Sequence, residues 1–124
     1  MATFLLDTSV IIDVLNNKKG RPALLRGLLE EGHLLACCAI NIGEVYVEEE
    51  RTAQFAESLE YLSITRDIAR RAGLVKRDFS RQGSTLSLAD ALIAAVSISG
   101  GCTLITDNVK DFPSPELRLH RLSR

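Results

Sequence analysis

The chain has 124 residues, a formal net charge of −1, 46% hydrophobic and 25% charged residues. That length suits one domain with one packed core, and the charge balance argues against a protein that coats polynucleotides through excess lysine and arginine. Cysteines 37, 38 and 102 are odd in number and match no zinc-site spacing, so reduced, buried thiols in a cytosolic protein are expected.

The first apolar run, residues 3–6, comes almost at once and reads as a strand. No basic n-region precedes it, and the longest apolar stretches are too short to span a bilayer, so a cytoplasmic location without a membrane partner is expected. A helix follows from about Ser9 and is broken by Gly20-Arg21-Pro22, where Pro22 suits the first turn of a second helix, about 22–31. Residues 33–39 form a short apolar run consistent with a buried strand. A helix starts near Ile40, another runs from about Thr52 to Glu60, and Leu62-Ser63-Ile64 reads as a strand. Residues 66–81 form a basic amphipathic helix with Ile68, Ala72, Val75 and Phe79 on its inner stripe. Ser87 opens a helix of small apolar residues that Gly100-Gly101 terminates. A core strand at 102–106 and a short edge strand near 117–122 complete the chain. Strands alternating with helices predict one α/β domain, residues 1–124, with a central, mainly parallel sheet.

In such a sheet ligands sit at the carboxyl ends of the strands. Asp7 ends the first strand and Asp107 ends the last core strand, so both aim at one edge. Either acid alone reads first as a helix cap or turn residue. Glu44 lies within the apolar run 40–47. At helical spacing it shares a stripe with Ile40 and Val47, so its carboxylate faces the core unless it meets a cation or turns to the boundary. Asp90 stands three residues after Ser87, as in a capping box, and the first helical turn favours a negative charge. Gathered carboxylates repel each other, and a hard divalent cation such as magnesium resolves that. With only His33 and His120 present, zinc chemistry and a histidine base have little support, and a metal-activated water is the better nucleophile.

Four segments together resemble the PIN-domain family. They are Leu5-Leu6-Asp7-Thr8-Ser9-Val10-Ile11-Ile12, Ile40-Asn41-Ile42-Gly43-Glu44-Val45-Tyr46, Ser87-Leu88-Ala89-Asp90-Ala91-Leu92-Ile93-Ala94-Ala95 and Leu104-Ile105-Thr106-Asp107-Asn108-Val109-Lys110-Asp111-Phe112. Each is weak alone; all of them in family order across nearly the whole chain are specific. The resemblance implies a three-layer α/β/α sandwich that binds Mg²⁺ or Mn²⁺ and cleaves single-stranded RNA. Small members of this kind are commonly the toxin half of VapBC-type toxin–antitoxin pairs, form homodimers and are blocked by a cognate antitoxin. By position, Asp7, Glu44, Asp90 and a fourth acid are the catalytic and metal-binding set. Asp107, Asn108 and Asp111 compete for that fourth place; strand-end position favours Asp107 and keeps Asp111 in reserve. Ser9 is expected to support the Asp7 turn by hydrogen bonding.

Other readings are a catalytically weak PIN-fold binding or assembly module, and an acid-cluster phosphatase or phospho-accepting domain. The last fits poorly, because position 9 is Ser where a haloacid-dehalogenase-type phosphatase has a second Asp, and Lys110 only loosely suits a receiver domain. The basic face of residues 66–81, with Lys18, Lys19 and Arg21, is a candidate RNA track, with a plain solvated surface as the alternative.

Overall fold

The computed structural model describes residues 1–48, 50–120 and 122, with the side chain of Thr52 left aside. Strand β1 (Thr3–Leu6) is followed by helices α1 (Thr8–Leu15) and α2 (Arg21–Glu30), then β2 (Leu34–Cys38), α3 (Ala39–Glu48), α4 (Glu50–Glu57) and β3 (Glu60–Leu62). The second half holds α5 (Arg66–Arg81), α6 (Leu88–Ser99), β4 (Thr103–Ile105), a 3-10 turn at Val109–Asp111, and β5 (Arg118–His120). Among the described residues no helix is long and apolar enough to cross a membrane.

The strands form one sheet in the order β3-β2-β1-β4-β5, and every neighbouring pair is parallel. Parallel strands need crossovers, and helices supply them on both faces. Alternation along β1 shows this directly. Phe4 and Leu6 join the core formed with Val10 and Ile11 of α1, Leu25 and Leu28 of α2, Val45 of α3, and Ala53 and Ala56 of α4. Leu5 points the other way, into a core with Ile93, Ala94 and Val96 of α6. Helix α5 covers α6 through Ala72, with Ile68, Val75 and Phe79 packed against it, so the stripe expected from the sequence is the buried one. The result is the predicted α/β/α sandwich, with a sheet that is wholly parallel.

The element bounds follow local chemistry. Asp7 caps α1, Thr65 caps α5 by accepting from the Ile68 N–H, and Ser87 caps α6 by accepting from the Asp90 N–H. The third strand departs from expectation: it spans 60–62 rather than 62–64. As an edge strand it leaves Glu60 and Tyr61 exposed, so its apolar signal is weak and pairing with β2 sets its place. Ile64 packs against the α6 core from beyond the strand's end.

This topology fixes where a site can lie. The chain winds outward from β1 to β3, then crosses back to put β4 beside β1. The crevice at such a reversal, outside the strands' carboxyl ends, is the natural binding place of an open parallel sheet.

Candidate active site

Asp7 sits at that reversal, one residue beyond β1, and is only 7% exposed. Its backbone N–H donates to the Ile105 carbonyl at 2.9 Å, which ties it to the end of β4. Its carboxylate accepts twice, from the Thr8 N–H at 2.9 Å and from the Thr106 hydroxyl at 2.7 Å. Asp7 is therefore the α1 cap, and its place at the sheet's reversal also puts it in the candidate acid set.

Thr8 carries the connection onward. Its hydroxyl donates to Glu44 Oε1 at 2.6 Å and accepts from Asn41 Nδ2 at 3.1 Å. Asn41 is fully buried and its Oδ1 accepts from the Cys38 N–H at 2.9 Å, so the start of α3 is locked to the end of β2. Glu44 does not face the core as its stripe with Ile40 and Val47 suggested. Asn41 and Val45 form the inner face of α3, while Glu44 is exposed and Val47 is 84% exposed. Helical spacing identifies residues that share a face, not which face is inside, and the paired Asn41 amide takes the inner place here.

Electrostatics join these acids to the other half of the chain. Burial pushes the Asp7 carboxyl up from its ordinary value of 3.8; bonds from Thr106 and Thr8 pull it down, and the charges of Asp90 and Glu44 raise it further. Asp90, in the first turn of α6, is raised chiefly by burial as well. The Ser87 hydroxyl opposes this, and the charges of Asp111 and Glu44 add to it. Asp7 thus senses Asp90 and Glu44, and Asp90 senses Glu44 and Asp111, so charges from separate elements bear on both. Among the described residues none of the four is paired with a lysine or arginine.

Asp107 is placed differently from Asp111. It accepts from Arg21 Nη2 at 2.6 Å and has the Lys19 ammonium at 3.6 Å, so its charge is matched within the α1–α2 loop region. Asp111, on the 3-10 turn after β4, lies where Asp90 senses it. Asn108 uses its backbone N–H to bond the Thr106 hydroxyl at 2.9 Å. The bond expected from Ser9 is not made: its Oγ is buried without a partner, and Thr8 and Thr106 orient the acids instead. A Thr hydroxyl one residue from a strand-end Asp is the sequence signal that points to them.

The basic residues also sort out. Arg21 is buried against Asp107 and offers no open cationic surface, while Lys19 bridges Asp13 and Asp107 with its side chain still 56% exposed. On α5, Arg70 and Arg71 reach Asp67 and Arg77 reaches Asp78, all as exposed pairs. Such pairs are weak and leave the side chains free to rearrange. A cavity of about 440 Å³ between α5 and α6, lined by Leu74, Val75, Phe79 and Ile98 among others, holds none of the four clustered acids.

Chemically, the set offers oxygen donors alone, with net negative charge and one carboxylate desolvated. That composition suits a hard divalent cation. The arrangement is open: among the described residues no three acids, cysteines or histidines enclose a single point. Magnesium is often held in this way, by one or two carboxylates, several waters and substrate phosphates.

Known proteins show the same frame. A family model described as PIN domain matches residues 4–114. The chain is 30% identical over 120 residues to Ribonuclease VapC19 of Mycobacterium tuberculosis, covering 92% of this chain and 96% of that protein. A chain of VapBC2 from Rickettsia felis, solved bound to a DNA fragment from its promoter, superposes with a TM-score of 0.80 at 21% identity. That match covers 95% of this chain and 97% of that one, and it speaks to fold. A chain of DNA-bound VapBC from Salmonella typhimurium gives 0.76 at 25% identity, over 97% and 98%.

Proposed function

The chain belongs to the PIN-domain family, and on that premise we propose that it is a metal-dependent endoribonuclease cutting single-stranded RNA, the toxin of a VapBC-type pair. The observation that carries this is Asp7: a nearly buried carboxylate at the sheet's reversal point, raised by burial and by the charges of Asp90 and Glu44. Burying unneutralised carboxylates is unfavourable, and a structural domain gains nothing from it; a cation-binding site does.

In this reading Asp7 and Asp90, with Asp111 nearby, would hold Mg²⁺ or Mn²⁺ through one or two carboxylates, with waters and substrate phosphates completing its shell. When bound, the ion supplies an activated water and offsets charge on the phosphate. The chain's own groups do the positioning. Thr106 and the Thr8 N–H fix both Asp7 oxygens. The Thr8 hydroxyl engages Glu44 Oε1 and leaves Oε2 to accept a proton from water. We read Asp111 rather than Asp107 as the fourth acid, because Arg21 and Lys19 already neutralise Asp107.

The similarity to ribonuclease VapC19 supports RNA as substrate, and the likeness to chains of VapBC assemblies supports a cognate antitoxin as partner. A homodimeric, cytoplasmic protein made of one domain completes the proposal. Cleavage of a mixed RNA pool in Mg²⁺, by wild type and Asp7→Asn, tests it. Wild-type cleavage that EDTA and Asp7→Asn both abolish supports the reading. Equal inertness of both proteins across the pool leaves a binding or assembly module in its place.

A further inference from the structure

Arg21 opens α2, and although charged its side chain is 4% exposed. Nη2 donates to Asp107 Oδ1 at 2.6 Å and Nη1 to the Lys19 carbonyl at 3.1 Å. Arg21 Nε and Asp107 Oδ2 are both buried without a hydrogen-bond partner. The loop leading to Arg21 holds Asn17 and Lys19 at φ 53° and 57°, a conformation that non-glycine residues adopt at some cost. Asp107 is 21% exposed, so only the Arg21 side chain is buried as a whole; an ion pair so desolvated, with polar atoms left over, is a poor source of stability, since well-packed apolar replacements are often neutral or better. The pair therefore calls for another account.

Its location supplies one. Asp107 directly follows Thr106, whose hydroxyl donates to Asp7 Oδ2 and accepts from the Asn108 N–H. Asp111 lies one short turn further on, where Asp90 senses its charge. Arg21 thus grips the chain between two groups that serve the acid set. Without that grip Asp107 keeps only the exposed Lys19 ammonium at 3.6 Å, beside an already negative site.

We propose that Arg21 is a positioning residue: by bonding Asp107 it holds residues 106–111 so that Thr106 meets Asp7 and the turn carrying Asp111 keeps its place, and it keeps the Asp107 charge out of the acid set. This rests on the metal-binding reading of the site, and the experiment separates the two. Mn²⁺ affinity of the full chain is measured by titration calorimetry without RNA, beside thermal melting, for wild type, Asp7→Asn, Arg21→Gln and the double variant Arg21→Met/Asp107→Leu.

A merely structural pair predicts that the apolar double variant, once folded, binds Mn²⁺ as wild type does. Positioning predicts that it melts near wild type yet binds Mn²⁺ about tenfold or more weakly, the usual cost of losing an outer support to a metal site. Arg21→Gln keeps one amide donor and the size of the contact, and is expected to lose affinity in the same direction. It decides the matter alone if the double variant does not fold. Wild-type affinity in whichever of these variants folds overturns the proposal. Wild type that binds no more Mn²⁺ than Asp7→Asn overturns the metal-site reading, and this inference with it.

Discussion

Thr8 Oγ1 donates to Glu44 Oε1 at 2.6 Å across 36 residues of sequence, joining the first residue of the helix that Asp7 caps to the helix that carries the second acid. The same oxygen accepts from the buried Asn41 amide, so one hydroxyl serves both the site and the core. Thr8→Val keeps the volume and removes both bonds. Glu44 then loses its fixed rotamer, and kcat/KM is expected to fall about 10–100-fold, the range for outer supports of metal sites. The stranded Asn41 amide costs about 1–3 kcal/mol of stability by denaturant titration. Thr8→Ser keeps the hydroxyl and most of both quantities. A valine variant with unchanged kcat/KM removes Thr8 from the positioning of Glu44.

Asp107 and Asp111 are separated by the same logic of partners. Asp107 is already neutralised by Arg21, and Asp107→Asn still offers Arg21 an oxygen. Its Mg²⁺-dependent activity is therefore expected to stay within about tenfold of wild type, with its main effect on melting temperature. Asp111, whose charge helps raise the Asp90 carboxyl, has no cation of its own among the described residues. Asp111→Asn is expected to raise the Mg²⁺ concentration needed for half-maximal activity about tenfold or more. The reverse ranking assigns the fourth acid to Asp107.

Burial, then the charges of Asp90 and Glu44, lift the Asp7 carboxyl above 3.8, and Asp90 is lifted for the same first reason. The folded protein therefore holds these protons more tightly than the unfolded chain does. Stability without metal is greatest below the unfolded value and falls as pH rises through the raised folded values, remaining lowered at neutral pH. Asp7→Asn removes the charge, so in EDTA at neutral pH it is expected to melt a few degrees above wild type while losing cleavage. Because the ion needs the carboxylates ionised, Mg²⁺-dependent kcat/KM is expected to climb as pH rises through the raised Asp7 and Asp90 values. A melting temperature lowered by Asp7→Asn at neutral pH contradicts this account.

Much of this was readable in the sequence because the relevant signals are local. A short apolar run ending in Asp7, a Ser87 cap and the Ile68–Phe79 stripe each specify their element without reference to the rest of the chain. What escaped reading depends on long-range pairing. Strand β3 is set by β2 and not by its own composition, which leaves Glu60 and Tyr61 in solvent. The inner face of α3 is set by an Asn41 amide satisfied from Cys38 and Thr8, so a polar residue displaced the expected apolar orientation. Arg21 reads as a surface cation until Asp107, 86 residues away, is brought to it. The fourth acid likewise depends on the turn after β4, whose geometry no periodicity reports.

Helix α5 remains the best basic surface for RNA in the described residues, since Arg70, Arg71 and Arg77 are all more than half exposed and only weakly held by Asp67 and Asp78. It packs on α6, the helix whose first turn bears Asp90, which makes it the surface to test for RNA contact. Neutralising these arginines together as glutamines is expected to weaken binding of a single-stranded RNA under non-cleaving conditions, with Ca²⁺ in place of Mg²⁺. If each meets one phosphate, the slope of log affinity against log salt becomes shallower by about 2. The arginine ion pairs lost in the same variant are exposed and worth about 0–1 kcal/mol each, so the fold survives the change. Unchanged affinity with an unchanged salt slope returns this face to ordinary solvated surface and sends the search for the RNA track to other elements around the sheet's carboxyl edge.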